Sequence, residues 1–158
     1  MTNWAKALSP FDKANTEEEA VAQARASSVA LVLASIATVA SYFMMQDYYP
    51  IMAEAMGNAD NAGAMAQQGL IMTAVVVVIQ LGLAALQWFK PNKIIPWIFM
   101  LLCLLGVVSI AMILMPSPVP PPPTAATFGS WAVNVVCVLL HIAGIRGASA
   151  LPRLRGEE

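Results

Sequence analysis

Three long stretches of this 158-residue sequence contain no Asp, Glu, Lys or Arg. They cover residues 26–46, 61–89 and 94–145, and charged residues make up only 11% of the whole chain. A soluble domain carries roughly 25% charged residues, spread over its surface. The pattern therefore excludes an ordinary water-soluble fold and predicts an integral membrane protein.

Four segments are long and apolar enough to cross a bilayer as helices. A helix needs about 20 apolar residues to cross a hydrocarbon core of roughly 30 Å. The predicted spans are residues 26–45, 68–89, 95–115 and 128–145. We therefore expect an all-α, polytopic membrane protein with a four-transmembrane-helix bundle at residues 26–145. Residues 1–25 precede this bundle and residues 146–158 form a basic tail.

The eight basic residues of the chain fall in only three places. They precede the first span, link the second to the third, or follow the fourth. They are Lys6, Lys13, Arg25, Lys90, Lys93, Arg146, Arg153 and Arg155. Basic residues near span ends are retained in the cytoplasm, so the sequence predicts that both termini are cytoplasmic. The membrane that we expect is the bacterial inner (plasma) membrane.

The N-terminal segment carries a helix-start signal. Thr16 followed by Glu19 is the capping-box pattern, and it predicts one helix from Glu17 to Met45 that begins outside the membrane. Upstream, three apolar residues recur at the helical spacing of a segment lying flat on a membrane surface. These are Trp4, Leu8 and Phe11. Pro10 interrupts that spacing, so a disordered tail is the alternative.

The loop between the first two spans contains signals for a short helix. Pro50 suits the first position of a helix, and Gly57 suits its end, which predicts a helix at residues 51–56. Asp60 or Asn61 is then expected to cap an extended second helix.

The two remaining loops differ in stiffness. Residues 90–93 form a turn tight enough that we expect the second and third spans to be antiparallel neighbours. Residues 116–123 contain six prolines and are predicted to adopt polyproline II conformation. This proline segment is interpreted either as a docking site for an outside partner or as a stiff spacer.

Small residues recur every four positions along the first span. Such a stripe lets another helix backbone approach closely. Its members are Ala26, Ala30, Ala34 and Thr38. We expect this stripe to mediate helix packing, either with a second copy of the chain or with a larger membrane complex.

Four polar residues inside the predicted spans are candidates for function. They are Gln80, Gln87, Asn134 and His141. His141 is the one ionisable residue within a span, apart from Cys and Tyr, and intramembrane ionisable residues are functional hypotheses by default. The functional interpretation is a polar path through the bilayer. The alternative is hydrogen bonding between packed helices.

The two cysteines, Cys103 and Cys137, lie at similar depth, roughly 12 Å from the basic ends of their spans. They are predicted to touch if the third and fourth spans pack together, and burial is expected to make them inert. A single His and no Glu-x-x-His pattern predict neither a metal site nor a cofactor. Without a recognisable nucleophile and base, we expect no enzyme.

The sequence therefore predicts a small integral membrane protein of structural or accessory type. Its expected partners are the lipid bilayer and either further copies of itself or the other subunits of a complex. The net charge of −1 gives no reason to expect nucleic acid binding. The alternative is an oligomeric permeation protein for small molecules or ions, with Gln80, Gln87, Asn134 and His141 lining its path.

Overall fold

The computed structural model describes residues 8–109 and 121–156, except for the side chain of Ala59, and the elements found there are helical. In chain order they are α1 (Glu17–Ala24), α2 (Ala26–Met45), α3 (Tyr48–Ala55), a short 3₁₀ helix (Ala59–Asn61), α4 (Ala62–Phe89), α5 (Ile94–Val108) and α6 (Thr124–Arg155).

Within the described residues, three helical segments are long and apolar enough to cross a membrane. They are Glu17–Met45, Ala62–Phe89 and Thr124–Arg155, with 29, 28 and 32 residues. Helix α5 is also apolar but has only 15 residues, about 22 Å at 1.5 Å per residue. The rest of the predicted third span and most of the proline segment, residues 110–120, lie outside the described residues. The all-helical fold is compatible with an integral membrane protein.

The predicted start of the first helix is confirmed. The Thr16 hydroxyl accepts a hydrogen bond from the Glu19 N–H at 3.2 Å, and the Glu19 carboxylate accepts one from the Asn15 N–H at 2.8 Å. The predicted helix from Glu17 to Met45 is found as one helical segment of 29 residues, with a local break at Arg25 where α1 ends and α2 begins. The Ser28 N–H bonds the Arg25 carbonyl at 2.9 Å, a tightened i to i+3 step that separates α1 from α2.

The short helix α3 begins earlier than predicted, at Tyr48. Pro50 is its third residue, where a missing N–H is harmless because first-turn N–H groups have no partner inside the helix. The predicted stop at Gly57 is confirmed, since Gly57 has a φ of 72° and the Asn58 N–H bonds the Ala53 carbonyl at 2.8 Å. Asn61 occupies the N-cap position of α4 without a side-chain capping bond.

The long helices pack in the order α4, α2, α6, α5. The prediction that the second and third spans are neighbours is wrong, because α4 packs on α2 and α5 packs on α6, while α4 and α5 do not pack along each other. The Asn92 side chain accepts hydrogen bonds from the Ile94 and Ile95 N–H groups, each at 3.0 Å. Asn92 thereby caps the start of α5.

The small-residue stripe of α2 lies against α6 of the same chain. Ala26 and Ala30 are fully buried there, beside Ala143. A side chain at Gly144 would collide with the Ser27 hydroxyl, so the close approach depends on small residues in both helices. Helix α6 covers Ala26 and Ala30, while Ala34 and Thr38 of the same stripe are half-buried.

The predicted tail after residue 145 is for the most part the end of α6, which continues to Arg155 and stops at Gly156, with a φ of 70°. Here α6 packs against α1. A side chain at Gly147 would meet the Ala20 carbonyl oxygen at 2.6 Å, so the two backbones are in direct contact.

The segment before α1 folds back onto the bundle. Leu8 packs against the core formed by α2, α5 and α6, so the prediction that Leu8 lies on the membrane surface is wrong. Phe11 is 81% exposed, and Trp4 lies outside the described residues. The Arg146 guanidinium donates to the Pro10 carbonyl at 2.6 Å, and the Gln23 amide donates to the carbonyls of Ser9 and Asp12 at 3.2 and 2.9 Å. These bonds hold the segment in place.

Basic residues from several helices meet at one end of the bundle. The Arg25 side chain donates to the Trp88 carbonyl at 3.3 Å and lies 4.9 Å from the centre of the Trp88 ring, while Arg155 pairs with Glu17 at 2.7 Å. We call this the basic end. The opposite end contains α3 and the beginning of α6.

Candidate functional site

A cavity of about 430 Å³ lies among the four long helices, and we call it the central cavity. Helices α2, α4, α5 and α6 all contribute to its wall, together with Tyr49 of α3. Much of the wall is polar, although it lies in the apolar part of the sequence. The polar groups include Thr38, Thr73, Gln80, Ser130, Asn134 and His141. Among the described residues, no Asp, Glu, Lys or Arg lines the cavity.

The packing order of the helices explains why the cavity exists. Because α4 and α5 sit at the two ends of the row and do not pack on each other, the space between them is not filled. On the α2 side the wall contains the small residues Ala34 and Ala37 and, further along the helix, Tyr42 and Met45. The central cavity therefore lies between α4 and α5, with α2 and α6 behind it.

Two of the predicted polar residues lie on this wall with incomplete hydrogen bonding. Gln80 is half-buried, and its amide oxygen accepts from the Ser35 hydroxyl at 3.1 Å. Asn134 is also half-buried and lies so close to Gly106 that a side chain there would meet the Asn134 amide nitrogen at 2.6 Å. Neither the Gln80 amide nitrogen nor the Asn134 side chain has a hydrogen-bond partner in the described part of the chain.

Gln87 is the predicted path residue that the structure places elsewhere. It is fully buried at the basic end. Its amide nitrogen donates to the carbonyls of Ala24 and Asn92 at 3.4 and 2.9 Å, and its amide oxygen accepts from the Asn92 N–H at 3.3 Å. Gln87 therefore ties α4 to α1 and to the following turn, and it does not line the central cavity.

His141 lies at the deep end of the cavity. It is 1% exposed, its Nδ1 has no hydrogen-bond partner among the described residues, and its ring centre is 6.2 Å from that of Phe99. Cys103 and Cys137 lie in the same buried cluster, and Cys103 lines the central cavity together with His141. The structure thus brings the two cysteines together, as the packing of α5 on α6 requires.

The Cys137 thiol donates a hydrogen bond to the Ala30 carbonyl at 3.4 Å. Both cysteines are free thiols. In the described part of the chain, no group of three His, Cys, Asp or Glu side chains is placed to hold a metal ion. His141 and Cys103 form part of the cavity wall.

A second cavity of about 290 Å³ continues the first toward the opposite end of the bundle. The two cavities share wall residues, among them Ser41, Ser130 and Asn134. Toward the basic end the space stops at His141, because Gly144 packs on Ser27 and Gly147 packs on α1. The polar space is therefore a chamber that is closed at the basic end.

Some residues of the chamber were not predicted to be functional. Tyr49 lines the central cavity, and a side chain at Gly69 would meet its ring at 2.9 Å. Burial, with a smaller effect of the nearby Tyr42, raises the pKa of Tyr49, so its hydroxyl stays protonated at neutral pH. Thr38 was expected only to pack, but it also lines the cavity. The signal available in the sequence was the pair Thr38 and Tyr42, at i and i+4 on one helix face.

The fold and the chamber together define the class of the molecule: an all-helical chain with membrane-spanning candidates and an uncharged polar cavity between them. Comparison with protein-family models, with curated proteins and with solved structures finds no match to this chain.

Proposed function

We propose that this chain is a four-span membrane protein that binds a small uncharged molecule inside the bilayer. The observation that supports this is the central cavity of about 430 Å³ with its polar wall. Small-molecule sites are clefts of roughly 300–1,000 Å³ with a few convergent polar groups. The buried Nδ1 of His141 has no hydrogen-bond partner among the described residues. Such a group is costly to bury unpaired, and a bound molecule would supply a partner.

The charge of the wall decides the kind of ligand. An ion in a low-dielectric interior costs several kcal/mol unless an opposite charge or a dense set of dipoles compensates it. The wall, as far as the described residues form it, contains no Asp, Glu, Lys or Arg. We therefore favour a neutral ligand over the ions that the permeation hypothesis also included.

Passage across the membrane would need one more step than binding. The chamber stops at His141, and the contacts of Gly144 with Ser27 and of Gly147 with α1 close the basic end. Permeation would require these close backbone contacts to separate. Binding is thus the proposed function. Permeation would additionally require a second conformation of α6 in which these contacts are separated.

The two native cysteines provide the test of the cavity. Cys103 lines it, whereas Cys137 is completely buried behind it. A thiol must ionise to react, which requires water, so alkylation reports water in the cavity. In purified protein that keeps one cysteine, made by Cys137→Ala or Cys103→Ala, N-ethylmaleimide should modify Cys103 at least about tenfold faster than Cys137.

A pair of adjacent substitutions on α4 provides the control. Thr73 lines the cavity, and Ala74 is exposed on another face of the same helix. Thr73→Leu should fill part of the cavity and slow the alkylation of Cys103, while Ala74→Leu should leave the rate unchanged. Equal rates for Cys103 and Cys137 would contradict the proposed function.

The four-span topology with cytoplasmic termini has its own test. Alkaline phosphatase is active only after export, so a fusion after Glu158 should be inactive and one after Asn58 active. The opposite pair of activities would reverse the orientation. Equal activity of the two fusions would place both sites on one side, which four spans do not allow.

An accessory role is the second candidate, and the surface of α4 favours it. Of the 28 residues of α4, only Ala84 and Gln87 are buried within the chain, so most of this helix is free to contact lipid or another subunit. Native mass spectrometry of the protein in lipid nanodiscs tests the role. A stable oligomer or a copurifying protein would support it, and a monomer at all concentrations would oppose it.

A further inference from the structure

The wall of the central cavity is apolar on the α5 side and has polar groups on the other sides. We infer that the ligand of this cavity is an uncharged amphiphile drawn from the bilayer. The hydrogen-bonding head would lie in the cavity and one alkyl chain would lie against α5. This inference rests on the proposed function and names the class of ligand. The chemistry is that of a monoacylglycerol: a neutral head with hydroxyl and carbonyl groups, attached to a single chain.

The route for such a ligand is the space between α4 and α5. These two helices do not pack along each other, although both contribute to the cavity wall. Thr73 and Gln80 lie on the α4 side, and Phe99 and Leu102 lie on the α5 side. A gap between two membrane helices faces lipid, so an amphiphile can reach the cavity without passing through water.

The α5 side of the cavity is apolar and continues onto the outer surface of that helix. Leu102 lines the cavity and is still 54% exposed. Next to it, Ile98, Leu101 and Leu105 are exposed on the same helix. An alkyl chain that leaves the cavity beside Leu102 would therefore stay in contact with apolar side chains until it reaches the lipid.

The other sides of the cavity offer hydrogen bonds without charge. Gln80 and Asn134 are amides, which both donate and accept, and each has bonding groups free in the described part of the chain. Hydroxyl and carbonyl groups of a neutral head match such amides. A head with a full charge would be left without a counter-charge in a low-dielectric site.

The test uses alkylation of Cys103 as the reporter of occupancy. Full-length Cys137→Ala protein in phosphatidylcholine nanodiscs is incubated with 1-monodecanoylglycerol, with glycerol or with decyltrimethylammonium, and N-ethylmaleimide is then added. We expect 1-monodecanoylglycerol to slow the alkylation of Cys103 at least about tenfold at saturation, and the other two compounds to leave it unchanged. Glycerol tests the head alone, and decyltrimethylammonium tests a charged head on the same chain length.

Each alternative result has a separate meaning. Equal protection by glycerol would overturn the bilayer route, and equal protection by decyltrimethylammonium would overturn the requirement for a neutral head. No protection by any compound would overturn the inference while Cys103 still reacts, and in that case the proposed binding cavity stands. An unreactive Cys103 in the absence of ligand would instead contradict the proposed function itself.

Substitutions in the wall identify the groups that hold the head. Gln80→Leu and Asn134→Leu should each raise the 1-monodecanoylglycerol concentration needed for half protection by about three- to tenfold, the effect of losing one membrane hydrogen bond. Gln68→Leu, an exposed position on the same helix as Gln80, is the matched control. Circular dichroism of each variant checks that the helices are retained. Unchanged half-protection in both wall variants would overturn the assignment of the head to the polar wall.

Discussion

The two ends of this bundle are built from the same helices but pack in opposite ways. At the basic end, α1, α2 and α6 approach so closely that Gly144 and Gly147 have no room for a side chain. Toward the opposite end the helices α2 and α6 continue, yet they border two connected cavities. The comparison indicates that the fold is solid where small residues let α1, α2 and α6 touch, and that it holds space where α4 and α5 do not pack on each other.

The same contrast appears in two identical side chains on one helix. Gln80 and Gln87 are seven residues apart on α4 and were predicted to act together. Gln87 makes three hydrogen bonds at the solid end, whereas Gln80 makes one and faces the cavity. A side chain with all its bonds satisfied serves the fold, and one with free bonding groups can serve a ligand.

The largest expected effect breaks the solid end. In Gly147→Ala, the added methyl group would meet backbone atoms of α1, among them the Ala20 carbonyl oxygen at 2.6 Å and the Gln23 carbonyl carbon at 2.8 Å. Backbone cannot give way as a flexible side chain does, so we expect a loss of about 2–3 kcal/mol in the free energy of unfolding. Titration with sodium dodecyl sulfate, followed by circular dichroism, measures it.

The matched control uses another glycine of the same helix. A side chain at Gly129 would meet nothing within 4 Å, and alanine has the higher helix propensity. Gly129→Ala should therefore be neutral or slightly stabilising. If both variants unfold at the same detergent concentration, close packing of α6 on α1 does not stabilise the molecule.

The two glutamines give the next largest effect. Gln87→Leu removes three hydrogen bonds from a fully buried site, and we expect a loss of about 1–2 kcal/mol in the free energy of unfolding. Gln80→Leu removes one bond and should cost less than about 1 kcal/mol. The same detergent titration ranks the two variants.

Ligand protection should show the reverse order. Gln80→Leu should weaken protection of Cys103 by 1-monodecanoylglycerol. Gln87→Leu should leave this protection unchanged under conditions in which the variant is folded. A Gln87→Leu variant that is stable but no longer binds would contradict the division of roles between these residues.

The smallest effect is expected at the surface of the basic end. Arg155 pairs with Glu17 at 2.7 Å, but the two side chains are 42% and 52% exposed. Exposed ion pairs contribute about 0–1 kcal/mol because water and salt screen them. Glu17→Gln should therefore shift the unfolding transition only slightly. In 1 M NaCl the variant and the native protein should unfold at the same detergent concentration. A loss as large as that of Gly147→Ala would show that charge pairing holds α1 in place.

Local signals in the sequence predicted local structure well. The capping box at Thr16 and the stop at Gly57 are confirmed, since each depends on residues within one helical turn. The depth of Cys103 and Cys137 followed from helix rise alone, and these two residues do meet. All-helical architecture followed from the length of the uncharged stretches.

The order of the helices could not be predicted in the same way. A tight turn at residues 90–93 favoured contact between α4 and α5, but which faces pack depends on residues far apart in sequence, such as Ala26 against Ala143. For the same reason, the polar residues could be named but not divided into those that bond each other and those that face a cavity. The packing role of Gln87 becomes clear only from the position of the Ala24 carbonyl, which accepts a hydrogen bond from the Gln87 amide.

Helix α6 joins the two ends of the bundle as one continuous rod. Its 32 residues correspond to about 48 Å, longer than the roughly 30 Å of a hydrocarbon core. Asn134 at the cavity wall and Gly147 in contact with α1 are thus fixed to the same lever. A displacement of α6 at the cavity wall would therefore also act on its contact with α1 at Gly147.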